Sequence, residues 1–153
     1  MAYLEPQLFA TLVEHTPLIS IDLVIENSQG EILLGARTNR PAQGMWFVPG
    51  GRILKDELMQ DAFLRLTQNE LGVAGSITDG EFLGVYEHFY EDNFSSNDFS
   101  THYVAMGYRL CIDLELTQLP HEQHRRYQWW SIEALLVSDA VHRHTKWYFD
   151  PAY

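Results

Sequence analysis

Residues 51–73 read GRILKDELMQDAFLRLTQNELGV, and this stretch carries the strongest indication of the fold. Gly51, Glu57, Arg65, Glu70 and Gly72 occur along it in that order. A glycine allows the backbone to approach a ligand closely, and carboxylate oxygens suit a hard cation such as Mg2+. The pattern therefore predicts a loop, a helix and a second loop around a metal-dependent diphosphate site.

The spacing of apolar residues predicts a helix over residues 56–71. Apolar side chains recur there at helical intervals, at Leu58, Met59, Ala62, Phe63 and Leu66. Asp56 is the expected N-cap, and Gly72 is the residue at which the helix is expected to stop. Glu70 is the only carboxylate near the end of this helix, so one metal ion is expected rather than several.

Other patterns predict a mixed sheet between helical layers. Strands are expected over residues 18–26, 31–37, 46–48, 80–89, 102–112 and 127–130, and helices over residues 132–137 and about 140–149. Residues 27–30 (NSQG) predict a hairpin turn. Strands alternating with two or three helices imply an α/β sandwich. The sequence shows no linker or internal repeat, so we expect a single domain over residues 1–153.

Composition limits the partners of the chain. Ten Lys and Arg stand against 21 Asp and Glu in 153 residues, which gives a formal net charge of -11. Phosphate backbones and anionic lipids repel such a chain, so no binding to nucleic acid or to a membrane is expected. Cys111 is the only cysteine and cannot form an internal disulfide. No apolar run reaches the ~18 residues of a membrane span, so a reduced, cytoplasmic setting is expected.

Residues 51–73 resemble the signature of the Nudix hydrolases, in which a loop, a helix and a loop bind metal and diphosphate. Two positions differ from that signature: Leu66 stands where the family usually has Glu, and Asn69 stands where it has the first of two glutamates. Residues 37–51 (RTNRPAQGMWFVPGG) and 119–124 (LPHEQH) add to the similarity. Together these features resemble the GDP-mannose mannosyl hydrolase branch of the family.

This resemblance implies a Nudix-type α/β/α sandwich, a homodimer and a nucleotide-sugar substrate. The expected reaction is hydrolysis of GDP-mannose, with GDP-glucose as a further candidate, by water attack at the anomeric carbon with inversion. One Mg2+ per subunit, replaceable by Mn2+, would be held by Glu70, the carbonyl of Gly50 and the side chain of Gln123. His124 would be the general base, because Leu66 and Asn69 cannot deprotonate water.

Several other side chains are candidates for the site. Arg37, Arg52 and Tyr103 are expected to neutralise charge on the diphosphate, although a solvated arginine and a packed tyrosine are the ordinary alternatives. Asp22 is the only charged residue inside its strand before Glu26, so it either faces the site or pairs locally. The remaining assignments are His88 beside the substrate, Tyr3, Leu4 and Phe9 against the nucleotide, and Glu57 and Arg65 as supporting residues.

The remaining histidines and the polar loop receive weaker assignments. His142 and His144 are expected to face solvent, and residues 91–100 are expected to cover a site or a subunit contact. Two alternative functions stay open at this point. One is a Nudix pyrophosphatase that cleaves a nucleoside diphosphate derivative at phosphorus, and the other is a catalytically silent nucleotide-binding module.

Overall fold

A computed structural model describes residues 4–120 and 124–152, without the side chains of His124 and Arg125. In this part of the chain the strands are β1 Leu18–Glu26, β2 Ile32–Arg37, β3 Trp46–Phe47, β4 Gly50–Arg52, β5 Glu81–Tyr90, β6 Thr101–Cys111 and β7 His124–Trp130. The helices are α1 Pro6–His15, α2 Met59–Leu71, α3 Ile132–Val137 and α4 Arg143–Lys146. No described helix is long and apolar enough to cross a membrane.

The strands form one mixed sheet in the order β3, β2, β1, β6, β5, with β4 paired to β1 and β7 paired to β2. β1 and β6 run parallel over their whole length, and the other pairs are antiparallel. β1 and β2 pair only at Glu26 and Ile32, next to the turn, and then separate. Their separation allows β4 to pair with β1, and β7 with β2.

Successive apolar residues of β1 reach opposite faces of the sheet, as strand geometry requires. Leu23 packs with Phe63 and Leu66 of α2 on one face. Val24 packs with Leu135 of α3 on the other face. The sheet therefore lies between helices, and the predicted α/β class is confirmed.

The predicted start of α2 is wrong, whereas its predicted end is confirmed. Asp56 has φ 62° and lies in a turn, so it cannot cap a helix, and the helix begins at Met59 after an extended Leu58. Glu57 consequently lies in the loop before the helix. Gly72 has φ 73° and ends the helix in the left-handed conformation that glycine adopts without steric cost.

The predicted helix over residues 140–149 shrinks to the single turn of α4. Trp46 N–H donates to the Ala140 carbonyl at 2.9 Å, and His142 N–H donates to the Trp46 carbonyl at 3.1 Å. These bonds to β3 hold residues 140–142 in an extended form, so the helix starts only at Arg143. β1 has its predicted bounds, and the other predicted strands differ from the observed ones by one to three residues at one or both ends.

β4 lies unusually close to β1 and to α2 because two of its residues are glycines. A Cβ on Gly50 would lie 2.5 Å from the Ile21 carbonyl oxygen and 2.7 Å from Asp22 Oδ1. A Cβ on Gly51 would lie 2.5 Å from Leu66 Cδ2, the mobile end of a side chain. A side chain at position 50 would therefore meet backbone atoms, which cannot move easily. A side chain at position 51 would meet only the Leu66 side chain, which can move aside.

We predict that Gly50→Ala lowers the free energy of unfolding by about 2 kcal/mol or more, because backbone atoms must move apart. Gly51→Ala is the matched control and should cost less, since only the Leu66 side chain has to move. Urea unfolding of both variants measures the difference. Equal losses for the two variants would show that the approach of β4 to β1 is not the tighter constraint.

Candidate active site

A cavity of about 560 Å³ opens between α1, the ends of β1, β2 and β4, and the loop between β5 and β6. It contains six of the residues that the sequence assigned to a site: Phe9, Asp22, Arg37, Gly50, His88 and Tyr103. These residues come from six different secondary-structure elements. The fold thus gathers side chains that lie far apart in the sequence.

Cationic and aromatic groups lie together at the cavity. The lining residue Arg37 has its guanidinium over the Phe47 ring at 5.4 Å. Arg52 does not line the cavity, but its guanidinium lies over the ring of the lining residue Phe9 at 4.6 Å. Burial raises the pKa of Tyr103, although both arginines act in the opposite direction. Tyr103 therefore keeps its proton at neutral pH and can donate it in a hydrogen bond. Arginine forks and a hydroxyl donor are groups that bind phosphate oxygens.

Asp22 lies on the wall between the cavity and the aromatic side chains of the C-terminal segment. Tyr148 donates its hydroxyl proton to Asp22 Oδ2 at 2.6 Å, and His88 Nδ1 lies 3.9 Å from the same oxygen. Burial raises the pKa of Asp22 to about 6, while the Tyr148 hydrogen bond and the charge of Arg37 partly oppose this shift. At pH 7 the carboxylate is charged, yet it takes up a proton on mild acidification.

Glu57 and Arg65 form a bidentate ion pair that ties α2 to β4. Arg65 Nε donates to Glu57 Oε2 at 2.8 Å, and its Nη2 donates to Glu57 Oε1 at 2.9 Å. The same Nη2 donates to the backbone carbonyl of Arg52 at 2.8 Å. The hydrogen bond from Arg65 holds the pKa of Glu57 below its ordinary value. Glu57 is thereby occupied in fixing the loop and the helix.

Glu70 is the residue of α2 that the sequence predicted as a metal ligand. It is 3% exposed. Burial raises the pKa of the nearby Tyr127, and the charge of Glu70 adds to this shift. It lies one helical turn after Leu66, on the face that contacts Gly51. Within the described residues no three His, Cys, Asp or Glu side chains converge as metal ligands. One carboxylate with carbonyl and amide oxygens fits a single hard cation that shares its remaining ligands with phosphate and water.

Some of the predicted site residues fall outside the described residues or do not line the cavity. Tyr3 and Gln123 fall outside the described residues, and so does the side chain of His124. The backbone of His124 pairs with Arg37 across β2 and β7, after an irregularity in the register. Leu4 is 37% exposed and does not line the cavity.

The NUDIX domain pattern matches residues 16–151 of the chain. The chain belongs to the Nudix family. Nudix proteins bind nucleotide-derived substrates and generally use divalent metal ions such as Mg2+.

Individual Nudix relatives agree with this assignment. The low-salt glycan biosynthesis protein Agl8 of Haloferax volcanii is 43% identical over 102 residues, which are 67% of this chain and 64% of that protein. The MutT protein of Methanosarcina mazei superposes with a TM-score of 0.69 at 23% identity, over 88% of this chain and 92% of that one. The Nudix domain of Shewanella oneidensis NrtR, solved with ADP ribose, superposes with a TM-score of 0.66 at 20% identity. The match covers 96% of this chain and 97% of that one. These structures show the Nudix fold.

The loop between β5 and β6 adds an aromatic wall to the cavity of this Nudix chain. Asn93 is fully buried, and its Oδ1 accepts two backbone N–H groups of the loop at 2.8 and 2.9 Å. Arg40 Nε donates to Asp92 Oδ2 at 3.1 Å. Phe94 is thereby held against Phe9, with 4.9 Å between ring centroids. The sequence predicted only a loop suited to cover a site, and the two phenylalanines in it were the available signal.

The predicted solvent-facing positions of His142 and His144 are wrong. His144 is 1% exposed and lines the cavity, and His142 is partly buried against the Phe47 ring at 4.6 Å. Aromatic side chains around α4 surround both rings. The only sequence signal was the aromatic run at residues 147–149, which is typical of a buried segment.

We predict that the protein loses stability on mild acidification. Burial lowers the pKa of His88 to about 4, of His142 to about 4 and of His144 to about 2. Below the unfolded value of about 6.5, the unfolded chain binds protons there that the folded chain does not, so the free energy of unfolding falls. Asp22 acts in the opposite direction, because burial raises its pKa to about 6 and the folded chain takes up that proton first. It is one group against three histidines, so the free energy of unfolding still falls.

Urea unfolding at pH 7 and pH 5 should therefore show a loss of about 4 kcal/mol at the lower pH. His144→Phe should reduce that loss, because one of the three groups is removed. A stability that is flat or rises between pH 7 and pH 5 would contradict the assignment of these rings as buried and neutral.

Proposed function

We propose that this Nudix chain hydrolyses GDP-mannose to GDP and mannose, with one Mg2+ per subunit in a homodimer. Water attacks the anomeric carbon from the face opposite the diphosphate, so the configuration inverts. The bond between that carbon and the diphosphate oxygen breaks, and GDP leaves with the bonding electrons. The proton of the attacking water passes to a base of the protein.

The observation that carries this proposal is the environment of Leu66. Its side chain is 3% exposed, lies in the apolar core and approaches Gly51, at a position where the family usually has a glutamate. Asn69, the second altered position, is exposed. Of the carboxylates that usually activate water for attack at phosphorus, α2 keeps Glu70. The glycan biosynthesis role in the name of the Haloferax volcanii relative also supports a sugar-containing substrate.

In this proposal the cationic groups at the cavity bind the diphosphate. Arg37 and Arg52 pair with its oxygens, and Tyr103 donates a hydrogen bond from its protonated hydroxyl. When bound at Glu70, the carbonyl of Gly50 and Gln123, Mg2+ supplies further positive charge to the leaving diphosphate. The acidic chain, with net charge -11, thus receives an anionic ligand at a local cluster of arginines.

Asp22 and His124 act at the sugar in this proposal. Asp22 is ionised at neutral pH and lies beyond Arg37 on the cavity wall, where its negative charge stabilises positive charge developing on the sugar ring. His124 accepts the proton of the attacking water. The backbone pairing of His124 with Arg37 supports this role, because it brings the segment that carries the base next to a cavity-lining arginine.

One prediction of the proposed function concerns the atom that water attacks. Purified protein incubated with GDP-mannose and Mg2+ in water labelled with heavy oxygen should release labelled mannose and unlabelled GDP. Mass spectrometry of both products locates the label. Label in GMP or mannose phosphate would place the attack at phosphorus and return the chain to the pyrophosphatases.

The second prediction concerns the metal. Glu70→Gln should raise the Mg2+ concentration needed for half-maximal activity at least tenfold and lower turnover, because it removes the charged ligand. Glu57→Gln is the matched control, since Glu57 is paired with Arg65. It should lower the thermal midpoint and leave the metal titration unchanged. An unaltered titration for Glu70→Gln would remove Glu70 from the metal site.

A further inference from the structure

Three histidines from two parts of the chain meet beside the cavity. His88 lies on β5, whereas His142 and His144 belong to the segment that begins α4. The rings of His88 and His144 are parallel within 2°, with 4.3 Å between centroids. His142 lies 4.4 Å from His144 and stacks on Phe47. We refer to His88, His142 and His144 as the histidine stack.

One member of the histidine stack has a structural role. The backbone N–H of His144 donates to Nδ1 of His142 at 3.1 Å, which caps the first turn of α4. Nδ1 of His142 must therefore carry a lone pair, and the ring proton of this neutral imidazole is on Nε2. The capping bond accounts for a histidine at position 142.

No comparable bond accounts for the other two imidazoles. His88 and His144 are 4% and 1% exposed. Nε2 of His88 and both ring nitrogens of His144 have no hydrogen-bond partner among the described residues. A buried polar atom without a partner costs about 1 to 3 kcal/mol. Phenylalanine would stack equally well in such a place without that cost, so packing does not explain the nitrogens.

Both unpartnered histidines line the cavity, as does Arg37, one of the two arginines that bind phosphate in the proposed function. The groups around them are Asp22, Tyr90, His142, Arg143, Trp147 and Tyr148. Burial keeps both rings neutral at pH 7, because it lowers their pKa values to about 4 and about 2. A neutral imidazole offers one donor and one acceptor, which matches a hydroxyl group and not a phosphate.

We propose that His144 is a specificity-determining residue that hydrogen-bonds a hydroxyl of the uncharged half of the substrate, next to His88. This inference rests on the proposed function, since it places the sugar beside His88 and His144 and the diphosphate beside the arginines. The stability lost by burying the His144 nitrogens is recovered when a sugar hydroxyl pairs with them.

The test uses His144→Phe, which keeps the ring stack and removes both nitrogens. We expect KM for GDP-mannose to rise about tenfold, as for one lost hydrogen bond. The inhibition constant of GDP, which lacks the sugar, should not change. The thermal midpoint should be equal to or above that of the wild type, because no unpartnered nitrogen remains buried. Among monodeoxy sugar analogues of GDP-mannose, one should be bound equally by variant and wild type.

His102→Phe is the matched control. His102 also stacks on a phenylalanine ring, Phe89, at 4.4 Å, but it does not line the cavity. This variant should leave KM for GDP-mannose and the inhibition constant of GDP unchanged.

The possible outcomes separate this inference from the proposed function. An active wild type with an unchanged ratio of KM to the GDP inhibition constant in His144→Phe overturns the inference alone. A parallel rise of both constants, or a lowered thermal midpoint with an unchanged ratio, gives His144 a structural role and also overturns it. A wild type that releases no mannose from GDP-mannose overturns both proposals.

Discussion

The close approach of β4 to β1 and α2 is the constraint on which the site depends. Gly50 leaves no room for a side chain between itself and the Asp22 carboxylate, and Gly51 lies against Leu66. Arg65 closes the arrangement by donating to the Arg52 carbonyl at the end of the same strand. One short strand therefore sets the distance between a wall of the cavity and the helix that carries Glu70. Sheet pairing, core packing and the ion pair between Arg65 and Glu57 of the preceding loop fix that distance.

This framework holds a cavity lined by both charged and neutral polar groups. Arg37 contributes a guanidinium, whereas His88 and His144 contribute neutral, buried imidazoles. Asp22 lines the same cavity with a raised pKa. Buried polar groups of this kind reduce stability, and the apolar clusters on both faces of the sheet offset that loss. A ligand with one anionic half and one uncharged, hydroxyl-bearing half matches this combination of a guanidinium and neutral imidazoles.

Sequence reasoning succeeded where the signal was local and failed where it depended on distant partners. The apolar periodicity of residues 56–71 and Gly72 predicted α2 and its end, because both features follow from helix geometry. Asp56 is of a residue type that often caps helices, yet its positive φ excludes that role. The burial of His144 comes in part from the rings of His88 and Tyr90 on β5, a strand far earlier in the sequence. No spacing rule contains that information, so the position of His144 in the cavity wall could not be predicted.

Leu66 links the packing of the fold to its chemistry. A glutamate at this position would bring a charge among the buried side chains of the α2 core unless a metal ion or another partner compensated it. Leucine contributes apolar burial instead, so α2 gains packing and loses a ligand. The helix then serves chiefly as a support, with Arg65 fastening it to β4 and Glu70 as its buried carboxylate. In the proposed function, the chemistry that a fuller acidic helix would perform is therefore carried by the cavity walls and by His124.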